Sequence, residues 1–208
     1  MSATATADAA DDHDDEDLRG PPDDYGTATT GKIAMWVFLL SDAFMFGGFL
    51  IAYGILRGGA DTWHQPGEPT LGINFTAGMT FLLICSSVTM VLSFAACSEG
   101  DRKGTIKWLS LTVLGGVLFL CGQAYEYTHL SNAGLHFGAS HYASTFYSIT
   151  SFHGLHVLSG VIYLSVILVR TIMGKYDGGN SNHLEIAGLF WHFVDLVWIL
   201  VFTFVYLL

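Results

Sequence analysis

Five apolar runs divide the chain, at about residues 33–56, 75–96, 106–127, 142–173 and 184–207. Each exceeds the roughly 20 helical residues that cross a hydrocarbon layer of about 30 Å at about 1.5 Å per residue. In lipid the backbone must satisfy its own hydrogen bonds, so runs of this length are expected as helices. The pattern therefore predicts an all-α fold: a polytopic membrane bundle with five transmembrane helices. The fourth run is the longest and should tilt or project beyond the bilayer. The connections are short. The longest, residues 57–74, carries Pro66, Pro69 and Gly58, Gly59, Gly67 and Gly72, and no soluble domain fits between the helices.

Small residues mark where helices can approach closely: Gly47, Gly48 and Ala52 in the first run, Gly115, Gly116 and Gly122 in the third, and Gly154, Ser159 and Gly160 in the fourth. Composition agrees with the membrane reading, since 51% of the residues are hydrophobic and 12% charged. The net charge of −10 misleads. Nine of the 18 acidic residues fall in residues 1–31, opposed there by Arg19 alone, so eight of the ten net negative charges lie in that tail. Residues 1–31 are thus expected to form an acidic, disordered cytoplasmic tail, and residues 32–208 the five-helix membrane domain. The tail has neither the basic start nor the apolar core of a signal peptide, so it is expected to be retained. No nucleic-acid partner is expected. Cys85, Cys97 and Cys121 fall in or beside apolar runs, without a Cys-x-x-Cys pair, and read as small hydrophobes.

Lys and Arg set an orientation. With the N-terminus inside, Arg19, Lys32, Arg102, Lys103, Lys107, Arg170 and Lys175 fall on the cytoplasmic side and Arg57 alone on the other. The C-terminus is then periplasmic. Trp36, Trp108 and Tyr176 are placed at the inner interface, and Tyr53, Tyr125, Tyr142 and Tyr206 at the outer one.

Ionisable groups inside the runs are the candidate chemistry. Asp42 lies nine residues into the first run, Glu126 near the outer end of the third, and His153 with His156 on one face of the fourth. His192 and Asp195 share a face of the fifth, with Asp195 about 17 Å along it, close to the midplane. Such groups face protein or a cavity and usually pair with one another. Three readings stand for the histidines. They are a haem or metal ligand set, a hydrogen-bonded packing cluster with Glu126 and Asp195 as possible partners, or proton-handling groups. Asp42 has no titratable neighbour at helical spacing in its own run, which leaves a structural or a proton-relay role open.

At these same residues the chain resembles subunit III of the haem–copper oxidases. The blocks that carry the resemblance are Phe38-Leu-Leu-Ser-Asp42 with Phe44 and Phe46, Glu99-Gly-Asp-Arg-Lys103, Tyr125-Glu-Tyr127, Ser144-Thr-Phe146, Phe152-His-Gly-Leu-His-Val157, and Trp191-His-Phe-Val-Asp195 with Trp198. They occur in family order and span nearly everything but the tail. The resemblance implies a subunit with no metal or haem of its own, bound to subunit I and other oxidase subunits in a bacterial inner membrane. Haem and copper are then expected in the partner subunits. Long members of the family have seven helices in two groups with phospholipid in the cleft between them. This chain is similar to the short, five-helix form, and bound phospholipid is expected. The family's carbodiimide-reactive carboxylate falls on Asp42, one methylene shorter than the usual glutamate. Sustaining proton uptake into subunit I and protecting it from inactivation are what the resemblance implies as the role. The Glu99–Lys103 block looks like cytochrome c oxidases. The five-helix form and the Ser41-Asp42 pair are also similar to bo-type quinol oxidases. A free-standing membrane cytochrome or channel is the remaining, different class.

Overall fold

A computed structural model describes residues 30–63, 72–174 and 182–208. It contains five long helices: α1 (Thr30–Gly58), α2 (Ile73–Ser98), α3 (Arg102–Asn132), α4 (His141–Ile172) and α5 (Asn182–Val201). The last continues as a π-helical stretch, Phe202–Leu207, which widens the final turns. All five spans are long and apolar enough to cross a membrane. The expected acidic tail lies outside the described residues except for Thr30 and Gly31, which already open α1. Lys175, Tyr176, Pro66, Gly67 and Pro69 lie outside them too.

Helices α2, α3, α4 and α5 close a ring, each packed on the next and α5 back on α2. The first helix stands outside this ring, against α4 and α5. Only 17% of its apolar window is buried, against 50% for the last span. The interior is sorted by size and polarity more than by hydrophobicity, because lipid tails are as apolar as leucine and reward no burial of leucine. Thus α2 buries Thr76, Thr80, Ser86 and Ser93, and α3 buries Thr105, Thr112, Gly115, Gly116, Gln123 and Glu126. Phe81, Val88, Leu114 and Leu118 of the same two helices point outward.

Trp191 and Trp198 fill the centre of the ring, 0% and 1% exposed. Room for Trp191 comes from two glycines. A Cβ on Gly116 of α3 would stand 2.5 Å from Val161 and 2.6 Å from Trp191, and one on Gly160 of α4 would stand 2.9 Å from Trp191. Both indoles donate to α2, Trp191 to Ser86 Oγ at 3.1 Å and Trp198 to Thr80 Oγ1 at 2.9 Å. The small residues expected to matter in α1 behave differently: nothing described lies within 4 Å of a Cβ on Gly47 or Gly48, and Ser159 of α4 is exposed. The outer aromatic belt is also reduced. Tyr53, Tyr142 and Tyr206 are buried in protein, and Tyr125 alone of those four is exposed.

The two ends of the bundle are tied by polar contacts. At one end Lys32 pairs with Glu185 at 2.7 Å, joining α1 to α5. There Arg102 donates to the Thr171 and Ile172 carbonyls at 3.0 and 2.6 Å, satisfying acceptors left open where α4 stops. Gly100, with φ of +76°, makes the reversal between α2 and α3 next to it. At the other end Arg57 Nη2 donates to the Leu208 carbonyl.

Candidate functional site

The six ionisable residues singled out in the helices do not form one cluster. They lie in four separate places, and Asp42, His156, Glu126 and His192 each meet a side chain of another helix.

Asp42 is 3% exposed although it belongs to the least buried helix. Its carboxyl reaches α4, where Oδ2 lies 3.0 Å from His156 Nε2. The other ring nitrogen, Nδ1, lies 2.8 Å from the Phe152 carbonyl oxygen. A carbonyl can only accept, so Nδ1 carries hydrogen. Nε2 and Oδ2 are in ion-pair contact, though Oδ2 makes no hydrogen bond of good geometry among the described residues, and the contact suits imidazolium with carboxylate or imidazole with carboxylic acid. Either way the pair is neutral overall, the condition under which such groups are tolerated at membrane depth. Phe46 and Phe152 wall the site, with ring centroids 5.3 and 4.7 Å from that of His156.

One turn away, His153 is fully buried. It stacks on Trp198 at 4.8 Å between centroids, with Phe119 edge-on at 5.9 Å. Neither ring nitrogen has a hydrogen-bond partner among the described residues. Sharing a helix face has therefore given the two histidines different surroundings, one polar and one aromatic.

Glu126 takes hydroxyls and no histidine. Thr76 Oγ1 lies 2.9 Å from Oε1, and Tyr206 Oη donates to Oε2 at 3.0 Å. Tyr206 belongs to the π-helical continuation of the last span. Nearby, Gln123 Nε2 donates to Tyr127 Oη at 3.0 Å and to the Thr150 carbonyl at 2.7 Å, and the Tyr127 hydroxyl meets Thr150 and Ser151. This network joins α3 to α4.

His192 and Asp195, three residues apart on α5, do not bond each other. His192 Nδ1 meets Ser87 Oγ of α2 at 2.5 Å. Asp195 is 6% exposed, and neither of its oxygens has a hydrogen-bond partner among the described residues.

Sequence reasoning missed Thr76, Ser87, Gln123 and Tyr127 as members of these sites. Hydroxyls and an amide inside apolar runs, at helical spacing from a charged residue in the case of Gln123 and Glu126, were the available signal. Among the described residues no group of three or more His, Cys, Asp and Glu side chains is arranged to hold a metal ion.

Residues 24–208 match the family described as cytochrome c oxidase subunit III. The chain belongs to that family. Membership makes it a multi-pass membrane subunit of an oxidase complex with other subunits. Among relatives, a cytochrome c oxidase subunit 3 of Synechocystis is 39% identical over 173 residues, 83% of this chain and 73% of its own length. The subunit 3 of Corynebacterium diphtheriae is 37% identical over 173 residues, and a probable subunit 3 of Nocardia farcinica 36% over 171. Each of these two alignments covers 82% of this chain and 84% of the relative.

Proposed function

We propose that the chain is the non-catalytic subunit III of a proton-pumping terminal oxidase that carries electrons from cytochrome c to oxygen. It stabilises subunit I and supports proton uptake there. On this reading haem and copper lie in the partner subunits, and phospholipid is bound where the subunit meets its surroundings. The protein sits in the inner membrane of a bacterium, N-terminus cytoplasmic and C-terminus periplasmic. Cytochrome c as donor is favoured over quinol by the names its relatives carry.

The observation that carries the proton role is the Asp42–His156 pair. A buried carboxyl lies 3.0 Å from an imidazole whose second nitrogen is fixed by a backbone carbonyl, so either partner can hold the proton. Such a pair can give up or take a proton without leaving a bare charge in the membrane, provided a water chain or partner group connects to it.

The test of identity is isolation of the complex through a tag on this chain. Subunit I, haem absorption and a copper-A band should accompany it. Haem without copper-A would turn the reading to a quinol oxidase. Haem retained by this chain after separation from all others would overturn the assignment of a subunit without redox centres.

A further inference from the structure

Residues 150–156 of α4 carry the imidazole that meets Asp42, and three helices hold this stretch. From α1 come Asp42, 3.0 Å from His156, and Phe46, whose ring centroid lies 5.3 Å from that of His156. From α5, Trp198 stacks on His153 at 4.8 Å. The hold from α3 centres on one buried amide. Gln123, 6% exposed, donates through Nε2 to the Thr150 carbonyl at 2.7 Å and to Tyr127 Oη at 3.0 Å. Both amide hydrogens are thereby used. The side chain cannot turn without giving up two bonds at a depth where lipid offers no replacement.

Gly154 completes the fit. A Cβ there would stand 2.5 Å from Gln123 Oε1 and 3.1 Å from its Cδ and Nε2, and these are the three nearest atoms. The amide thus fills the room that the missing side chain leaves, beside the carbonyl that takes the Gly154 N–H in an α-helix. Two residues on, the Phe152 carbonyl lies 2.8 Å from His156 Nδ1 and ties that ring to its own helix. Positions 150 and 156 are about 120° apart around α4. Gln123 therefore fixes the helix from one side while Asp42 meets another.

We propose that Gln123 is a positioning residue for the Asp42–His156 pair, setting through the Thr150 carbonyl and the gap at Gly154 where His156 stands. Because the His156 ring is tied to α4, a slide or turn of that helix moves Nε2 directly. A displacement of about 1 Å takes a 3.0 Å contact beyond the distances at which such groups share a proton. This role rests on the proposed proton supply through the pair only for its use by the enzyme. The pair itself can be read without turnover, so the two can fail separately.

A hydrophobic carbodiimide attacks a carboxylic acid and not a carboxylate. Its rate of reaction at Asp42, followed by mass spectrometry of the assembled oxidase, reports whether the imidazole still stands beside the carboxyl. A buried carboxyl without that partner is tolerable only as the acid. His156→Phe should therefore label faster than wild type, by roughly 3- to 30-fold, the range that the strengths of polar contacts between membrane helices convert to. Gln123→Met, which keeps the length and removes the donor, should rise towards the same rate. So should Gly154→Ala, whose methyl group meets the amide first. Tyr127→Phe removes the hydroxyl shared with Thr150 and Ser151 but keeps the bond from Gln123 to the Thr150 carbonyl, and should label as wild type. A wild-type rate in Gln123→Met or in Gly154→Ala, with His156→Phe raised, would overturn the positioning. So would a Tyr127→Phe rate as high as that of Gln123→Met, since any loosening of α3 from α4 would then suffice. A wild-type rate in His156→Phe would overturn the pair and the positioning with it. Raised rates in these variants beside an unchanged pH profile of oxygen consumption in Asp42→Asn would remove the proton role and leave the positioning standing. If Gln123→Met does not assemble, Gly154→Ala decides.

Discussion

Two histidines one turn apart show how a single residue's neighbours decide its role. His156 faces a carboxyl and a carbonyl, whereas His153 is packed among aromatic rings and neither of its nitrogens has a hydrogen-bond partner among the described residues. A buried polar group without partners destabilises, by about 1–3 kcal/mol. Replacing it by an apolar ring of similar shape should therefore be harmless. We expect His153→Phe to assemble normally and to unfold within about 1 kcal/mol of wild type, on either side. Loss of the subunit from the purified complex would show that His153 has a partner in the assembly. By contrast Asp42→Leu strands His156 Nε2. It should weaken retention of the subunit in a detergent series by about 0.6–2 kcal/mol, the range for hydrogen bonds between membrane helices. Full retention would mean the pair does nothing to hold α1.

Among the helices, the spans were legible in the sequence and their pairings were not. Apolar run length marks a span directly: the first three runs lie inside helices a few residues longer, the fourth ends one residue past α4, and the fifth is covered by α5 with its π-helical continuation. Helix α3 shows why the ends escaped: it continues through polar Thr128, His129, Ser131 and Asn132, which continue a helix as readily as they leave one. The Phe202–Leu207 widening left no mark in the apolar pattern, which simply continues. Partners of the buried groups were illegible for a different reason. Helical spacing reports which residues share a face, yet Ser87 and His192 are 105 positions apart and meet only because α2 packs on α5. Glycine positions were legible in part. Gly116 and Gly160 make the slot for Trp191, while Gly47 and Gly48 face nothing described within 4 Å. Accordingly Gly160→Leu should destabilise the bundle by about 1–3 kcal/mol or displace Trp191, and Gly47→Leu should be nearly neutral. Thermal unfolding of the two complexes measures this, and equal midpoints would refute the slot.

For the whole molecule, a four-helix ring with α1 leaning on it gathers Lys32, Arg102, Lys103, Lys107 and Arg170 at one end and leaves Arg57 at the other. The positive-inside rule predicts that this positive end is cytoplasmic. Reporter fusions after residue 208 and within residues 132–141 should both read periplasmic, and a cytoplasmic signal from either would reverse the arrangement. The proposed role of the Asp42–His156 pair in proton supply is testable by substitution. Asp42→Asn separates this role from packing, because the amide can still donate to His156 Nε2 but holds no exchangeable acid proton. The decisive measurement is oxygen consumption and proton release against pH in the purified Asp42→Asn complex, with subunit content and haem spectra checked. A fully assembled enzyme whose turnover falls below wild type as the medium becomes alkaline, where proton supply limits, is the expected result. A pH profile that superimposes on wild type in a fully assembled complex would contradict it and leave Asp42 as a packing residue.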